Sequence, residues 1–237
     1  MSAGSERVAV ITGASRGIGA ALVDAYRGEG FAVVATARTI EPVADPRIAT
    51  VAGDIAEAQT AARVVGAALA RFGRVDTLVN NAGVFIAKPF TEYTIEDYNL
   101  VTGVNLAGFF HVTTRVIAHM RDRGHGHVVN ITTTLVEHAR SDVPSALASL
   151  TKGGVAAATK ALAIEYAATG IRVNAVSPGV IKTSMYEPGD YDELATQHPL
   201  QRMGDIDDVV RGVLYLEASP FVTGEFLHVD GGQSAGH

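Results

Sequence analysis

The 237-residue sequence predicts a single α/β domain centred on a doubly wound parallel sheet of about seven strands, with helices on both of its faces. Short β-branched runs alternate with longer helical patterns from one end of the chain to the other, which is typical of βαβ units. No linker interrupts this alternation, and an apolar content of 47% is enough for one large core. We therefore expect one domain over residues 1–237.

The first half of the chain alternates strand and helix in order. A β-branched run leads directly into a glycine-rich turn, from which a helix starts at Gly17. Later runs of the same kind predict further strands, and apolar residues at helical spacing predict the helices between them. The expected strands are Arg7–Thr12, Phe31–Thr36, Ile48–Ala52 and Val75–Val79, and the expected helices are Gly17–Glu29 and Ala56–Phe72.

The second half repeats the pattern with longer helices. One helical pattern covers Val104–Arg123, and another begins near Ser149. Gly170 ends the latter, because glycine readily adopts the left-handed conformation of a helix C-cap. The remaining expected elements are the strands His127–Thr132, Ile171–Val176 and Phe226–Val229 and the helix Ile206–Glu217.

Composition narrows the classes of partner. The net charge is −6 and the 19 basic residues are scattered, which disfavours nucleic acid and anionic membranes. The absence of cysteine excludes disulfides, thiolate catalysis and cysteine zinc sites, and the histidines and carboxylates show no recurring metal-ligand spacing. No run approaches 18 apolar residues, and the N-terminal segment before the first strand is short and polar. We expect a cytoplasmic protein that acts on a small soluble molecule and binds no metal.

The turn after the first strand predicts a dinucleotide site. It reads Thr12-Gly13-Ala14-Ser15-Arg16-Gly17-Ile18-Gly19 and opens a helix. Glycines let the backbone approach a pyrophosphate closely, and the helix N-terminus offers free N–H groups and a partial positive charge. Three glycines alone also fit an ordinary βα turn. The expected contacts are Gly13, Ser15, Arg16, Gly17, Ile18 and Gly19.

The end of the second strand favours NADP(H) over NAD(H). An NAD-selective site needs an acidic residue there for the ribose 2′-hydroxyl, whereas the sequence reads Thr36-Ala37-Arg38. The Arg38 guanidinium, helped by that of Arg16, can bind a 2′-phosphate through bidentate hydrogen bonds. The alternative is that both arginines are solvated surface charges.

Together these motifs resemble the short-chain dehydrogenase/reductase family. The glycine turn, Asp54, Asn80-Asn81-Ala82-Gly83 and Pro178-Gly179 are spaced as in that family, over nearly the whole chain. The resemblance implies a Rossmann-like fold, adenine contacts at Asp54 and Ile55, and a cofactor cleft lined by Asn81, Ala82 and Gly83. It also implies a nicotinamide carboxamide held by the segment from Pro178 and Gly179 through Val180, Ile181 and Thr183.

The family's catalytic pattern is only partly present. Lys152 matches the catalytic lysine, which also binds the cofactor in the family, and Asn105 matches the catalytic asparagine. The family's tyrosine lies four residues before the lysine, where this sequence has Ala148, and no tyrosine lies between residues 98 and 166. Thr133 is the nearest match to the family's serine, although it lies two residues further from the tyrosine position than expected. We therefore expect a divergent member without the catalytic tyrosine.

Two side chains are candidates to replace the missing phenol. His138 follows the threonine run and titrates near neutral pH, although a solvated loop histidine is the alternative. Tyr186 lies on a segment, about residues 184–202, that forms a substrate lid in relatives, although a packing aromatic is the alternative. A water filling the vacated volume and relaying a proton through Lys152 is a third route.

These features leave two functions open. The first is an NADP(H)-dependent oxidoreductase that reduces a small carbonyl or imine, or oxidises the corresponding alcohol or amine, by a tyrosine-independent proton route. The second is a weakly active or inactive NADP(H)-binding sensor or scaffold subunit.

The helix predicted from Ser149 is rich in alanine, which permits close helix packing, and the family packs this helix across a two-fold axis. We expect a homotetramer of D₂ symmetry or a homodimer; the residues concerned are Ala156, Ala157, Ala158, Ala161 and Ala163.

Overall fold

A seven-stranded sheet with every neighbouring pair parallel forms the centre of the molecule in the computed structural model, which describes residues 6–236. The strands are β1 Val8–Thr12, β2 Ala32–Ala37, β3 Ile48–Ala52, β4 Thr77–Asn80, β5 Gly126–Ile131, β6 Ile171–Pro178 and β7 Phe226–Val229. Their order across the sheet is β3-β2-β1-β4-β5-β6-β7. The predicted fold class is confirmed, and the strand order reverses between β1 and β4, where such sheets bind ligands.

Helices cover both faces of the sheet. They are α1 Gly17–Gly28, α2 Ala58–Phe72, α3 Ile95–Thr102, α4 Phe109–Arg123, α5 Ala146–Tyr166, α6 Tyr191–Ala195 and α7 Ile206–Ala218. One apolar core joins the sheet to α2, α4 and α5, and a second core on the opposite face joins it to α1 and α7. The central strands are buried between these layers and therefore read as continuous apolar runs, whereas β7 at the edge of the sheet is only partly buried.

The long helical stretch in the middle of the chain begins earlier than predicted. Instead of starting at Val104, helical backbone runs from Ile95 to Arg123, with a π-helical segment at Gly103–Gly108 between α3 and α4. The start of α3 is fixed by a capping box between Thr94 and Asp97. Only Val101 of α3 is buried, so an apolar stripe that would have revealed this helix is absent.

The stretch Ile95–Arg123 is long and apolar enough to cross a membrane by length and composition alone. However, 44% of its most apolar window is buried inside the fold, and the core helix of a soluble protein passes the same test. The packing of α4 against α2 and the sheet accounts for that burial.

Several further boundaries differ from the sequence-based expectation by one to three residues. Helix α5 begins at Ala146 rather than near Ser149, so its first turn carries Ala148. Strand β4 begins at Thr77 rather than Val75, and at its entrance the Asp76 carboxylate accepts the Val8 N–H at 2.8 Å in place of a backbone carbonyl. The short helix α6 has no counterpart in the sequence prediction.

Candidate active site

A cleft of about 650 Å³ opens at the carboxyl ends of the central strands. This volume lies within the range of about 300–1,000 Å³ that is usual for ligand sites. Every residue predicted to contact the cofactor lines this cleft. They are Gly13, Ser15, Arg16, Gly17, Ile18, Gly19, Arg38, Asp54, Ile55, Asn81, Ala82, Gly83, Lys152, Pro178, Gly179, Ile181 and Thr183.

The glycine turn has the backbone geometry that its sequence requires. Gly13 and Gly17 both have positive φ, +66° and +57°, which L-residues with side chains rarely adopt. A Cβ on Gly13 would also lie 2.8 Å from Cα of Ala82, closer than packed atoms allow. Arg16 precedes α1 without capping the helix through its side chain. The first N–H groups of α1 are therefore available to an anion.

Thr12 and Asn81 fix the turn after β1 against the turn after β4. The Thr12 hydroxyl accepts hydrogen bonds from the backbone N–H of Asn81 and of Ala82, each 3.0 Å long. The Asn81 amide donates in return to the carbonyls of Thr12 and Gly13 at 2.9 and 3.1 Å. These bonds place the two turns side by side at the switch point and give the cleft a rigid floor.

The electrostatics of the outer cleft suit a phosphate. Arg16 and Arg38 are exposed, and within residues 6–236 no carboxylate forms an ion pair with either guanidinium. Asp54 is the one acidic residue among the described residues that line the cleft. Its Oδ1 accepts the backbone N–H of Ala56 at 2.9 Å, in the turn that precedes α2. The positive end of α1 and two free guanidiniums therefore face the same space.

Lys152 and Ala148 line the same cleft from one face of α5. They are four residues apart and thus one helical turn from each other. The Lys152 ammonium donates to the backbone carbonyl of Ile131 at 2.7 Å. Burial lowers the pKa of Lys152 to about 8. A Cβ on Gly83 would lie 3.0 Å from the Lys152 Nζ, so a larger residue there would crowd the ammonium.

Asn105 does not line the main cleft but lies behind its wall. It is buried in the π-helical segment, where such bulges often mark functional positions. Its Oδ1 accepts the Val84 N–H at 2.9 Å, and its Nδ2 donates to the Val84 carbonyl and to the Thr151 hydroxyl, both at 3.1 Å. A cavity of about 10 Å³, lined by Asn105 and Lys152 among others, adjoins it. That is about the volume one water needs.

Of the other predicted catalytic side chains, two line the cleft and one does not. Thr133 lines the cleft, and its hydroxyl accepts the Leu135 N–H at a long 3.4 Å. Tyr186 also lines the cleft, and burial raises the pKa of its phenol. His138 is not among the residues that line the cleft, although its backbone N–H bonds to the Thr134 carbonyl nearby. The structure thus brings Lys152, Thr133 and Tyr186 together and leaves His138 outside.

Sequence reasoning missed several residues of the cleft. Gln233 reaches it from the turn after β7 and is 2% exposed, with its Oε1 accepting from the Thr134 hydroxyl at 2.9 Å. The Asp230-Gly231-Gly232 turn before Gln233 was the available signal. The other missed residues carry no such signal. They include Val84, Phe85, Leu135 and Val143, whereas Met185, Leu194 and Gln197 belong to the segment expected to form the lid.

Within residues 6–236 the structure gathers no group of three or more histidine and carboxylate side chains that could hold a metal ion.

Comparison with known proteins places these features among nucleotide-dependent reductases. The family model described as enoyl-(acyl carrier protein) reductase matches residues 13–234. An acetoacetyl-CoA reductase of Shinella zoogloeoides is 36% identical over 96% of this chain and 98% of its own. A 3-oxoacyl-[acyl-carrier-protein] reductase of Synechocystis is 34% identical over 98% of both chains.

Solved structures give the same result. ElxO with NADP bound superposes with a TM-score of 0.91 at 28% identity, over 98% of this chain and 100% of the other. A 3-ketoacyl-(acyl-carrier-protein) reductase of Brucella melitensis complexed with NADH has a TM-score of 0.89 at 31% identity, over 98% and 100%. The glycine turn, the cleft and the strand order described above are thus set in a backbone that these enzymes share.

Proposed function

The chain belongs to the short-chain dehydrogenase/reductase family of oxidoreductases, and from that premise we propose that it is an NADPH-dependent reductase of a small apolar carbonyl or imine, or runs the reverse oxidation. We further propose that its proton route uses no tyrosine at the family's usual position, which Ala148 occupies. The whole chain forms one catalytic domain in this proposal, with residues 184–202 as a substrate lid. It would work in the cytoplasm.

The cofactor is NADP(H), in agreement with the structural relatives that hold NADP or NADPH. The residues present fit it: the glycine turn and the α1 N-terminus would hold the pyrophosphate, and Arg16 and Arg38 the 2′-phosphate. Asp54 and Ile55 would lie against the adenine, and the segment Pro178–Thr183 would hold the nicotinamide end. When bound, the dihydronicotinamide supplies a hydride to the substrate carbon.

Lys152 is the proton donor in this proposal. A general acid works best when its pKa is near the working pH, and burial lowers the pKa of Lys152 to about 8. At neutral pH the ammonium is therefore charged, yet it gives up a proton more readily than an ordinary lysine. The proton passes to the substrate oxygen or nitrogen directly or through a water in the space beside Ala148, and Lys152 recovers it from solvent. Thr133 can donate a hydrogen bond to the same oxygen.

The rest of the cleft favours an apolar, uncharged substrate. Residues without a proposed cofactor contact are uncharged there, and their apolar members include Val84, Phe85, Leu135, Val143, Met185 and Leu194. The charged residues among the described lining are Arg16, Arg38, Asp54 and Lys152. An anionic substrate would therefore meet no cation beyond those assigned to the cofactor and to proton transfer. Gln233, Tyr186 and Thr133 are among the polar groups that can orient the substrate. An imine with its own basic nitrogen would depend least on an enzyme acid.

One observation carries the proposal: the half-buried Lys152 ammonium lies in the same cleft as the glycine turn and two arginines that have no ion pair among residues 6–236. An ordinary structural role can explain each of these features by itself. Their presence in one cleft at the switch point of the sheet is better explained by cofactor binding and proton transfer.

The test is steady-state loss of NADPH absorbance with a panel of ketones, aldehydes and imines that includes acetoacetyl-CoA. We expect turnover of at least one uncharged apolar substrate and a fall of about 10²-fold or more in Lys152→Ala. Lys160→Ala removes an exposed lysine from the same helix and serves as the control. Unchanged turnover in Lys152→Ala on every substrate would show that the assigned site is wrong.

A second function has its own supporting observation. The Lys152 ammonium already donates to the Ile131 carbonyl at 2.7 Å, which is what a lysine with a purely structural role would do. A nucleotide-sensing or scaffold subunit would bind NADPH with the same residues but reduce nothing. Tight NADPH binding without turnover across the whole panel would favour it.

A further inference from the structure

His198 lies outside the cleft lining but contacts the segment that forms one of its walls. The side chain is 1% exposed, and its Nε2 accepts the backbone N–H of Val180 at 3.0 Å. Val180 follows β6 within the segment Pro178–Thr183, and it lines the cleft itself. A buried histidine from the lid region thus satisfies a backbone donor of the cleft wall.

The backbone around His198 leaves room for this ring and little else. A Cβ on Gly179 would lie 2.7 Å from the His198 Nε2, and one on Gly231 would lie 3.1 Å from the His198 Cβ. Gly231 also has a positive φ of +61°. Two glycines from different turns, one after β6 and one after β7, therefore cradle the imidazole.

The chain directly after His198 holds the same wall segment. Gly204 donates to the Val180 carbonyl at 2.9 Å, and its own carbonyl accepts the Lys182 N–H at 2.9 Å. Both backbone polar groups of Val180 are thus bonded to residues 198–204. Gln201, in the turn between them, has a φ of +53°, the one positive φ of a residue other than glycine in the described part of the chain. Such a conformation persists only where surrounding contacts over-determine it.

The imidazole is held neutral. Burial lowers the pKa of His198, and Nε2 can accept a hydrogen bond only in the neutral form. Nδ1 must then carry the proton. It is buried near the carbonyls of Leu194 and Ala195 at the end of α6, without a well-formed hydrogen bond among the described residues.

We propose that His198 is a positioning residue, which couples the lid to the segment Pro178–Thr183 and so sets the affinity for the nicotinamide end of the cofactor. This rests on the proposed function, which assigns that segment to the nicotinamide. Without the Nε2 acceptor, the Val180 N–H has no partner and the wall segment loses its fixed position. The adenine end of the cleft lies at other turns and keeps its geometry.

The test compares two ligands in two matched variants. His198→Gln retains an acceptor near the Nε2 position, whereas His198→Met has similar length and no comparable acceptor. We expect His198→Met to raise the Kd of NADPH about fivefold or more, as the loss of one hydrogen bond implies, and His198→Gln to remain within about twofold of wild type. Adenosine 2′,5′-bisphosphate lacks the nicotinamide, and its Kd should not change in either variant. His125→Met, at an exposed loop, is the control.

The outcomes separate this inference from the proposed function. If wild type binds neither ligand, the proposed function fails. If wild type binds both and His198→Met leaves NADPH affinity unchanged, or weakens both ligands equally, the inference fails alone. A measurement on wild type covers the case in which His198→Met does not fold. Nitrogen NMR of labelled histidine at neutral pH should show His198 neutral with the proton on Nδ1, and a proton on Nε2 would overturn the inference.

Discussion

The lowered pKa of Lys152 predicts how the rate of reduction changes with pH. The pKa is lowered to about 8, so the ammonium is charged below that pH and neutral above it. If this ammonium donates the proton, kcat/KM for reduction should be level below about pH 8 and fall about tenfold per pH unit above it. The Lys160→Ala variant should retain this profile. A rate that stays level through pH 9 to 10 would exclude Lys152 as the acid.

Ala148 offers a direct test of the proposed proton route without a tyrosine. Tyrosine at this position would lie one helical turn before Lys152, whose positive charge lowers the pKa of a neighbouring phenol. We expect Ala148→Tyr to raise ketone reduction by at least about tenfold, and to change imine reduction less. Ala148→Phe fills the same volume without a hydroxyl and should not raise either rate. Equal gains from Tyr and Phe would mean that filled space, rather than a proton donor, is responsible.

Arg38 should decide the cofactor. It is exposed at the cleft with no ion pair among the described residues, and only the 2′-phosphate of NADPH gives it a partner. Wild type should bind NADPH at least about tenfold more tightly than NADH, and Arg38→Asp should reverse the preference. Arg115→Ala, on α4 away from the cleft, should leave the ratio unchanged. Equal affinities of wild type for the two cofactors would contradict the assignment.

The sequence predicts the positions of those site residues that the order of strands and helices determines. The glycines and Asn81 lie at strand ends, so the alternation of strands and helices is enough to bring them to one cleft. His138 was placed at the cleft by its position after β5, but the direction of a side chain in a loop does not follow from strand order. Gln233 was not predicted because it reaches the cleft from the turn after β7, and His198 was not predicted because it contacts the cleft wall without lining the cleft.

At the scale of elements, the π-helical segment couples α4 to α5. The hydrogen bond from Asn105 to the Thr151 hydroxyl is buried, and the same hydroxyl donates to the Leu147 carbonyl at 3.0 Å. Thr151→Val removes both bonds at nearly constant volume and leaves a buried amide N–H with one partner fewer. We expect a loss of about 1–3 kcal/mol in the free energy of unfolding, measured by urea denaturation.

A matched variant separates this loss from a general effect of β-branched residues in helices. Thr114 is exposed on α4, and its hydroxyl donates to the Phe110 carbonyl in the same manner. Thr114→Val should change the unfolding free energy by less than about 0.5 kcal/mol. If the two variants lose the same amount, the bond between Asn105 and Thr151 contributes nothing specific.

Some helices and strands are easier to predict from the sequence than others. The strands β3 and β7 and the start of α7 are where the sequence predicts them, because β-branched runs and a clear apolar stripe define them. The helix α3 was missed because it buries only Val101, and its stability comes from the capping box at Thr94 instead. The π-helical segment cannot be predicted from apolar periodicity, since its six residues are too few to show a period of their own.

On the surface of the whole molecule, one exposed stripe of apolar and small residues lies along α5. Along α5 the residues Leu150, Gly154, Ala157, Ala161 and Ile164 are all exposed and recur every three or four positions, so they form one stripe. Leu150 and Ile164 are 60% and 79% exposed, and Phe110 on α4 is 62% exposed. Of the alanines that the sequence analysis singled out, Ala156 and Ala163 are instead buried inside the fold.

This stripe supports one two-fold contact between copies of the chain, as expected for a homotetramer of D₂ symmetry or at least a homodimer. Small residues at its centre let a second α5 approach closely, while Leu150 and Ile164 cover the ends, and the two-fold operation makes the contact self-complementary. Light scattering at micromolar concentration should give four times the monomer mass for wild type. Ala157→Arg places a charge at the centre of the stripe and should halve that mass, because it breaks this two-fold contact. Ala62→Arg, on the exposed face of α2, should remain tetrameric. A monomeric wild type would refute the expectation, and an unchanged mass in Ala157→Arg would assign the interface to another surface.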